Sequence, residues 1–177
     1  MKIVVFGAGS IGTYIGASLL AAGGDVLLIG RTKMAECIAR HGVHLTDLRG
    51  GSVRIDGSKV PYTEDPGALS EGALILVTVK SSDTTTVANA IYTYANPAAL
   101  VLSLQNGVGN ADRLREQLVG WTVLGGMVPF SVAQRTGGRF HRGRGGELMI
   151  EASPAIAPWK ALFQTAHLPL IERRDFA

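Results

Sequence analysis

The chain has 177 residues, of which 46% are hydrophobic and 18% charged, and its formal net charge is +3. This length suits one domain with a buried core, and the composition, with 23 glycines, favours a compact α/β protein over a disordered or fibrous chain. The apolar runs are too short for a membrane span or a signal peptide, and the single cysteine excludes an internal disulfide, so we expect a cytoplasmic protein.

An apolar strand at residues 2–6 leads directly into a glycine-rich loop, Gly7-Ala8-Gly9-Ser10-Ile11-Gly12. This G-x-G-x-x-G order is typical of a dinucleotide site, in which the three glycines permit a tight turn, a close approach of pyrophosphate and close packing of the next helix. A helix at residues 11–22 would direct its free N–H groups at the phosphates. The alternative is a glycine-rich turn that binds no ligand.

The second strand, predicted at residues 25–29, ends at Gly30-Arg31. An NAD-selective fold carries Asp or Glu at this position to bind the ribose hydroxyls. Here Arg31 and Lys33 begin a helix at residues 32–40, where the helix dipole disfavours cations. A bound anion would remove this conflict, and the 2′-phosphate of NADPH is the obvious candidate. Two solvated surface cations are the alternative.

Residues 44–62 alternate apolar and polar side chains, which predicts a short strand meander inserted into the parallel pattern. The continuous apolar run at residues 73–79 then predicts a strand covered on both faces. It is followed by Lys80 and by a helix at residues 82–94, with Ser82 as its N-cap. Lys80 could hold the cofactor or a substrate carboxylate, or it could be an ordinary surface lysine.

The next strand, at residues 100–104, is followed by Asn106-Gly107. In a doubly wound sheet the ligand lies outside the carboxyl ends of the strands, so Lys80 and Asn106 are both candidate site residues. The Asn106 amide can donate and accept, and could bridge a ribose hydroxyl and a substrate oxygen. The alternative is a structural turn.

The rest of the chain predicts a helix at residues 111–118, strands at 122–133, 139–141 and 147–151 that close the sheet with antiparallel or mixed edges, a helix at 159–166 and a last strand at 168–172. A basic group, Arg139, His141, Arg142 and Arg144, is interpreted as a solvated turn and not as a nucleic-acid site. The histidines lack metal-ligand spacing, so we predict no metal. Cys37 is expected to be buried and inert.

Taken in order, these motifs resemble the ketopantoate reductase, or 2-dehydropantoate 2-reductase, family. The matching segments are Gly7 to Gly12, Gly30-Arg31, Val77-Thr78-Val79-Lys80, Leu104-Gln105-Asn106-Gly107-Val108-Gly109, and the glycine pairs at 125–126 and 145–146. They cover nearly the whole chain. We therefore expect residues 1–177 to form a Rossmann-like α/β domain, with a mostly parallel sheet, helices on both faces and an antiparallel extension.

The resemblance implies NADPH-dependent reduction of a 2-oxo acid, normally 2-dehydropantoate to pantoate on the route to pantothenate and coenzyme A. Carried over by position, the loop of Gly7, Ala8, Gly9, Ser10, Ile11 and Gly12 would bind pyrophosphate, and Arg31 would bind the 2′-phosphate. Lys80 and Asn106 would line the cleft where nicotinamide and substrate meet.

The resemblance also implies a general-acid lysine on the first helix of a second, all-helical domain, which should begin near Ala177. Lys160 lies within the first domain and is not assigned that role. We therefore expect a cofactor domain that is cut before its partner domain. This cofactor domain should bind NADP, turn over poorly and self-associate through exposed apolar surface, and we expect no nucleic-acid or membrane partner. Two alternatives stay open: a nucleotide-sensing module without catalysis, and a reductase for another 2-oxo acid.

Overall fold

The computed structural model describes residues 1–175, so the predicted end of the domain at Ala177 lies outside the described residues. The strands are β1 (Ile3–Phe6), β2 (Val26–Ile29), β3 (Val43–Asp47), β4 (Ser52–Ile55), β5 (Tyr62–Thr63), β6 (Leu74–Val77), β7 (Leu100–Ser103), β8 (Thr122–Met127), β9 (Val132–Arg135), β10 (Arg139–Arg142), β11 (Leu148–Glu151) and β12 (Leu170–Arg173). The α-helices are α1 (Ser10–Ala21), α2 (Thr32–His41), α3 (Thr84–Tyr94), α4 (Asn110–Gln117) and α5 (Lys160–Thr165). Short 3-10 helices lie at Gly57–Lys59, Pro66–Glu71, Ser81–Asp83 and Pro154–Trp159.

The main sheet has eight strands in the order β12-β11-β8-β7-β6-β1-β2-β5. Neighbouring strands from β8 through β5 are parallel, β11 is antiparallel to β8, and β12 is parallel to β11. The chain passes from β1 to β2 on one side and later returns to place β6 on the other side of β1. This confirms the predicted Rossmann-like sheet and puts its topological switch point between β1 and β6.

Alternate side chains of the central strands enter two apolar clusters on opposite faces of this sheet. From β6, Leu74 and Leu76 pack with side chains of α1 and α5, whereas Ile75 and Val77 pack with those of α3 and α4. All four β6 side chains are fully buried. A strand covered on both faces needs an unbroken apolar run, which is the pattern that the sequence showed here.

A second, four-stranded sheet has the order β4-β3-β10-β9 and lies against α1. Its β3 and β10 are parallel, and each is antiparallel to its outer neighbour. Phe140 on β10 is fully buried in the same cluster as the apolar face of α1. Within residues 1–175, no helix combines the length and the apolar character needed to cross a membrane.

The second sheet overturns two predicted strand assignments. Residues 44–62 do not form one meander, because β3 and β4 join the second sheet while β5 pairs with β2 in the main sheet. Residues 122–133 form two strands in different sheets, β8 and β9. Pro129 lies in the break between them, where a residue without an N–H cannot continue a ladder.

Two local predictions were also wrong. The interpretation of the basic group as a solvated turn was wrong for Arg139–Arg142, which forms β10 and so confirms the strand predicted at residues 139–141. The Arg142 guanidinium lies 4.1 Å from the centre of the Phe130 ring. Ser82 does not cap α3, since the 3-10 helix Ser81–Asp83 precedes the helix and Asp83 occupies the N-cap position.

Replacing Phe140 by alanine should destabilise the fold strongly, because the ring is fully buried between the second sheet and α1. Phe→Ala changes in cores cost about 3–5 kcal/mol, and we expect a loss in that range from urea unfolding curves. Tyr92→Ala, at a side chain 68% exposed on α3, is the control and should cost less than about 1 kcal/mol. Equal losses for the two variants would contradict this account of the core.

Candidate functional site

The glycine loop is packed tightly against the chain that follows β6. Gly7 has a φ of +114°, and an ideal Cβ there would lie 2.7 Å from the backbone nitrogen of Val79. A Cβ on Gly12 would lie 2.2 Å from the Gly7 carbonyl oxygen and 2.6 Å from Thr78 Oγ1. Thr78 Oγ1 itself donates to the Gly7 carbonyl at 2.8 Å. The loop therefore has the tight turn and the close helix packing expected of its first and last glycines.

Gly9, in contrast, faces open space. Among the described residues, a Cβ there would meet no atom within 4 Å, and no side chain caps α1, whose N-cap residue is Gly9. The first helical hydrogen bond runs from the Thr13 nitrogen to the Gly9 oxygen at 2.9 Å, so the N–H groups of residues 10–12 precede it. An uncapped helix start above an open backbone suits a phosphate.

A cavity of about 840 Å³ opens at the carboxyl ends of β1, β2 and β6, at the switch point of the sheet. Gly7, Ala8 and Gly9 line it from β1, Arg31 from β2, and residues 78–80 from β6. The other walls are Lys33, Met34, Glu36, Cys37, Arg40 and His41 of α2, Asp83, and residues 134–137 of the β9–β10 turn. Its volume is that of a site for a small molecule or cofactor.

Five exposed cations line this cavity and form no ion pair among the described residues: Arg31, Lys33, Arg40, Lys80 and Arg135. Some cations away from the cavity are paired; Arg115, for example, contacts both Asp112 and Glu151. Arg31 and Lys80 occupy the N-cap positions of α2 and of the 3-10 helix Ser81–Asp83. Five cations against the two carboxylates of the lining, Glu36 and Asp83, give the cavity a positive potential that favours an anionic ligand.

The backbone of Arg31 is held by Tyr62, whose hydroxyl donates to the Arg31 carbonyl at 3.0 Å. The hydroxyl reaches this carbonyl by passing close to Gly30: an ideal Cβ on Gly30 would lie only 2.2 Å from the Tyr62 hydroxyl oxygen. Burial, together with the negative charge of Glu64, raises the pKa of Tyr62 to about 12. The hydroxyl therefore stays protonated at neutral pH and keeps this hydrogen bond.

Lys80 and Asn106 follow the neighbouring strands β6 and β7, and the loops that carry them touch. Ser81 Oγ donates to the Asn106 carbonyl at 2.7 Å. The Lys80 side chain lines the cavity, whereas Asn106 is exposed and lies outside the lining. Of the predicted site residues, Gly7, Ala8, Gly9, Arg31 and Lys80 thus meet at one cavity, and Ser10, Ile11 and Gly12 form the adjoining first turn of α1.

Cys37 differs from its prediction. It is a free thiol on α2, only partly buried, and it lines the cavity. A ten-residue helix with one fully buried side chain, Ile38, leaves the neighbouring position at the edge of the core. Within the part of the chain that the structure describes, no group of three His, Cys, Asp or Glu side chains could hold a metal ion.

Sequence reasoning missed three features of this site. Thr78 carried a usable signal, since it is a polar residue at the end of an apolar strand at the predicted crevice. Tyr62 and the turn at residues 134–137 carried none. Tyr62 reaches the Arg31 carbonyl only through the pairing of β5 with β2, and the turn reaches the cavity only through the pairing of β10 with β3.

Comparison with known proteins shows consistent similarity. The family model "Ketopantoate reductase PanE/ApbA" matches residues 3–155. The 2-dehydropantoate 2-reductase of Halobacterium salinarum is 33% identical over 157 residues, which cover 85% of this chain and 48% of that protein. The enzyme of the same name from Pyrococcus horikoshii is 34% identical over 146 residues, covering 82% of this chain and 46% of that protein.

A solved structure agrees with this similarity. The PanE/ApbA family ketopantoate reductase from Ralstonia eutropha JMP134 superposes with a TM-score of 0.87 at 35% identity, over 98% of this chain and 57% of that one. The chain spans about half the length of the curated relatives it matches.

The Tyr62→Phe variant tests the state of the hydroxyl beside Arg31. Because the pKa of Tyr62 is raised from 10.0 to about 12, the folded protein holds this proton more tightly than the unfolded chain does. The contribution of this proton to the free energy of unfolding is complete below about pH 10 and is lost as the pH rises towards about 12. We expect the free energy of unfolding of the unmodified chain to fall more steeply than that of the variant from about pH 9.5 to 11.

Urea unfolding at several pH values measures this difference. The variant retains Tyr14, whose pKa burial also raises, so that contribution cancels between the two proteins. Parallel pH profiles would show that the Tyr62 pKa is not raised.

Proposed function

Because the chain belongs to the ketopantoate reductase family, we propose that it binds NADPH in the cavity at the ends of β1, β2 and β6. In this proposal it supplies the cofactor half of a site that reduces a 2-oxo acid, 2-dehydropantoate, to pantoate. The observation that carries the proposal is the set of five unpaired cations around a cavity bordered by the glycine loop.

The pyrophosphate is assigned to the glycine loop and the first turn of α1. Gly9 presents bare backbone to open space, so phosphate oxygens can approach without meeting a side chain. The N–H groups of Ser10, Ile11 and Gly12 precede the first helical bond and are available as donors. The dipole of α1 adds a favourable interaction with negative charge at this end.

The 2′-phosphate is assigned to Arg31, with Lys33 contributing charge. At this end of β2 the chain has Gly30-Arg31 in place of the carboxylate that an NAD-selective site uses. A guanidinium pairs with phosphate through two parallel hydrogen bonds, which a single ammonium group cannot do. Tyr62 supports this role, because its hydrogen bond fixes the backbone from which the Arg31 side chain extends.

Lys80 and Asn106 are assigned to the nicotinamide and substrate end. When bound, the reduced nicotinamide supplies the hydride that the ketone carbon accepts. Lys80 can pair with a carboxylate of the oxo acid or hold the cofactor, and the Asn106 amide can donate and accept at once. Both side chains are exposed, so neither is committed to the core.

The proton donor for the product hydroxyl is not assigned within these residues. Lys160 is ion-paired with Glu172 and does not line the cavity, so it has no such role. General acid catalysis typically contributes about 10² to 10⁴-fold to a rate. We propose that residues 1–177 by themselves bind the cofactor but reduce the oxo acid very slowly; self-association stays a prediction.

Replacing Arg31 by alanine should weaken binding of NADPH about tenfold to a hundredfold, because a charge-assisted pair with the 2′-phosphate is lost. Binding of NADH, which lacks that phosphate, should change by less than about twofold. Titration of nicotinamide fluorescence measures both dissociation constants. Arg54→Ala is the matched control, since Arg54 is exposed on β4 and does not line the cavity.

Equal affinity of the unmodified chain for NADPH and NADH would refute the assignment of the 2′-phosphate. Equal losses in Arg31→Ala and Arg54→Ala would show that only general surface charge matters.

The slow-turnover proposal has its own assay. Residues 1–177, saturated with NADPH and supplied with 2-dehydropantoate, should oxidise the cofactor at least about 100-fold more slowly than a reductase of the family with the full length of the curated relatives. Absorbance at 340 nm follows the reaction. A comparable rate would show that these residues hold a complete active site.

A further inference from the structure

A buried polar network connects the loop that follows β6 to the loop that follows β7. Four of its side chains, Thr84, Ser103, Gln105 and Asn110, are each no more than 4% exposed. Polar groups at this depth destabilise the fold unless their hydrogen bonds are made. None of the four lines the cavity, so ligand contact does not explain them.

Asn110 is the centre of the network on the β7 side. Its Nδ2 lies 3.0 Å from the Asn106 carbonyl, 3.1 Å from the Gly107 carbonyl and 3.0 Å from Ser81 Oγ. Carbonyl oxygens only accept, so the amide must present its nitrogen to them. Ser81 Oγ also donates to the Asn106 carbonyl, at 2.7 Å, which ties the two loops together directly.

Gln105 and Thr84 hold the β6 side. Gln105 Nε2 donates to Thr84 Oγ1 at 2.9 Å and faces the Lys80 carbonyl at 3.4 Å, while Ser103 Oγ donates to Gln105 Oε1 at 3.1 Å. Thr84 Oγ1 in turn donates to the Ser81 carbonyl at 2.9 Å. The backbone at Lys80 and Ser81 is therefore held by one side chain of the loop that follows β7, Gln105, and one of α3, Thr84.

Apolar packing does not hold the tip of the β7 loop. Val108, its one large apolar side chain, is 93% exposed. Gly107 and Gly109 have φ values of +108° and +81°, so the loop follows a path that the network must stabilise. The position of Asn106 relative to Lys80 thus depends on the hydrogen bonds of Ser81 and Asn110.

We infer that Ser81 and Asn110 are positioning residues for the nicotinamide end of the site, because they set the separation between Lys80 and Asn106. This inference rests on the proposed function, which assigns Lys80 and Asn106 to that end. Neither Ser81 nor Asn110 needs to touch the cofactor.

The test compares three variants of the 177-residue chain with two ligands. Ser81→Ala removes the donor to Asn106 from a half-buried position, and Asn110→Asp replaces the amide donor by oxygen with little change of volume. Ser82→Ala is the matched control, since the exposed Ser82 hydroxyl has one hydrogen-bond partner among residues 1–175, Asp83 Oδ1 at 3.3 Å. The ligands are NADPH and adenosine 2′,5′-bisphosphate, which keeps the 2′-phosphate but lacks the nicotinamide half.

We expect NADPH to bind about tenfold more weakly to Asn110→Asp and about threefold to fivefold more weakly to Ser81→Ala. The bisphosphate should bind all variants within about twofold of the unmodified chain, and Ser82→Ala should leave both affinities unchanged. If Asn110→Asp does not fold, Ser81→Ala alone decides, because it removes a single hydroxyl.

Two results would overturn the inference: Ser81→Ala and Ser82→Ala behaving alike with both ligands, or parallel losses for both ligands, which would indicate general damage to the fold. If the unmodified chain binds neither ligand, the proposed function has failed, and the positioning role fails with it.

Discussion

The close packing of the glycine loop against the end of β6 is the constraint on which the rest of the site depends. Gly7 and Gly12 leave no room for a Cβ, and the Thr78 hydroxyl binds the Gly7 carbonyl between them. This contact brings the ends of β1 and β6 together at the switch point of the sheet. The uncapped start of α1 then faces the same cavity as the side chains that follow β6.

The cations beside the cavity are the second feature that favours an anionic ligand. Arg31 and Lys80 start a helix and a 3-10 helix, where the backbone already carries partial positive charge. Such an arrangement costs free energy in an empty site and is relieved when an anion binds. A dinucleotide with a further 2′-phosphate offers anions for both the loop and Arg31, and we base the proposal of NADPH on this match.

The features predicted correctly from sequence were those that depend on residues close together in the chain. Strand, glycine loop and helix follow one another within residues 1–22, and the unbroken apolar run of β6 identified a strand buried on both faces. The ends of these strands then located Arg31 and Lys80. Periodicity could not show where the chain changes sheets, so the break at Pro129 and the split of residues 44–62 were missed. Tyr62 was missed for the same reason, since its contact with Arg31 exists only once β5 pairs with β2.

A crystal structure of the chain with NADPH would show directly where each part of the cofactor lies. We expect the pyrophosphate over Gly9 and the first turn of α1, the 2′-phosphate within hydrogen-bonding distance of the Arg31 guanidinium, and the nicotinamide between Lys80 and Asn106. A dinucleotide bound with its phosphates away from the glycine loop, or with the 2′-phosphate out of reach of Arg31, would contradict this proposal.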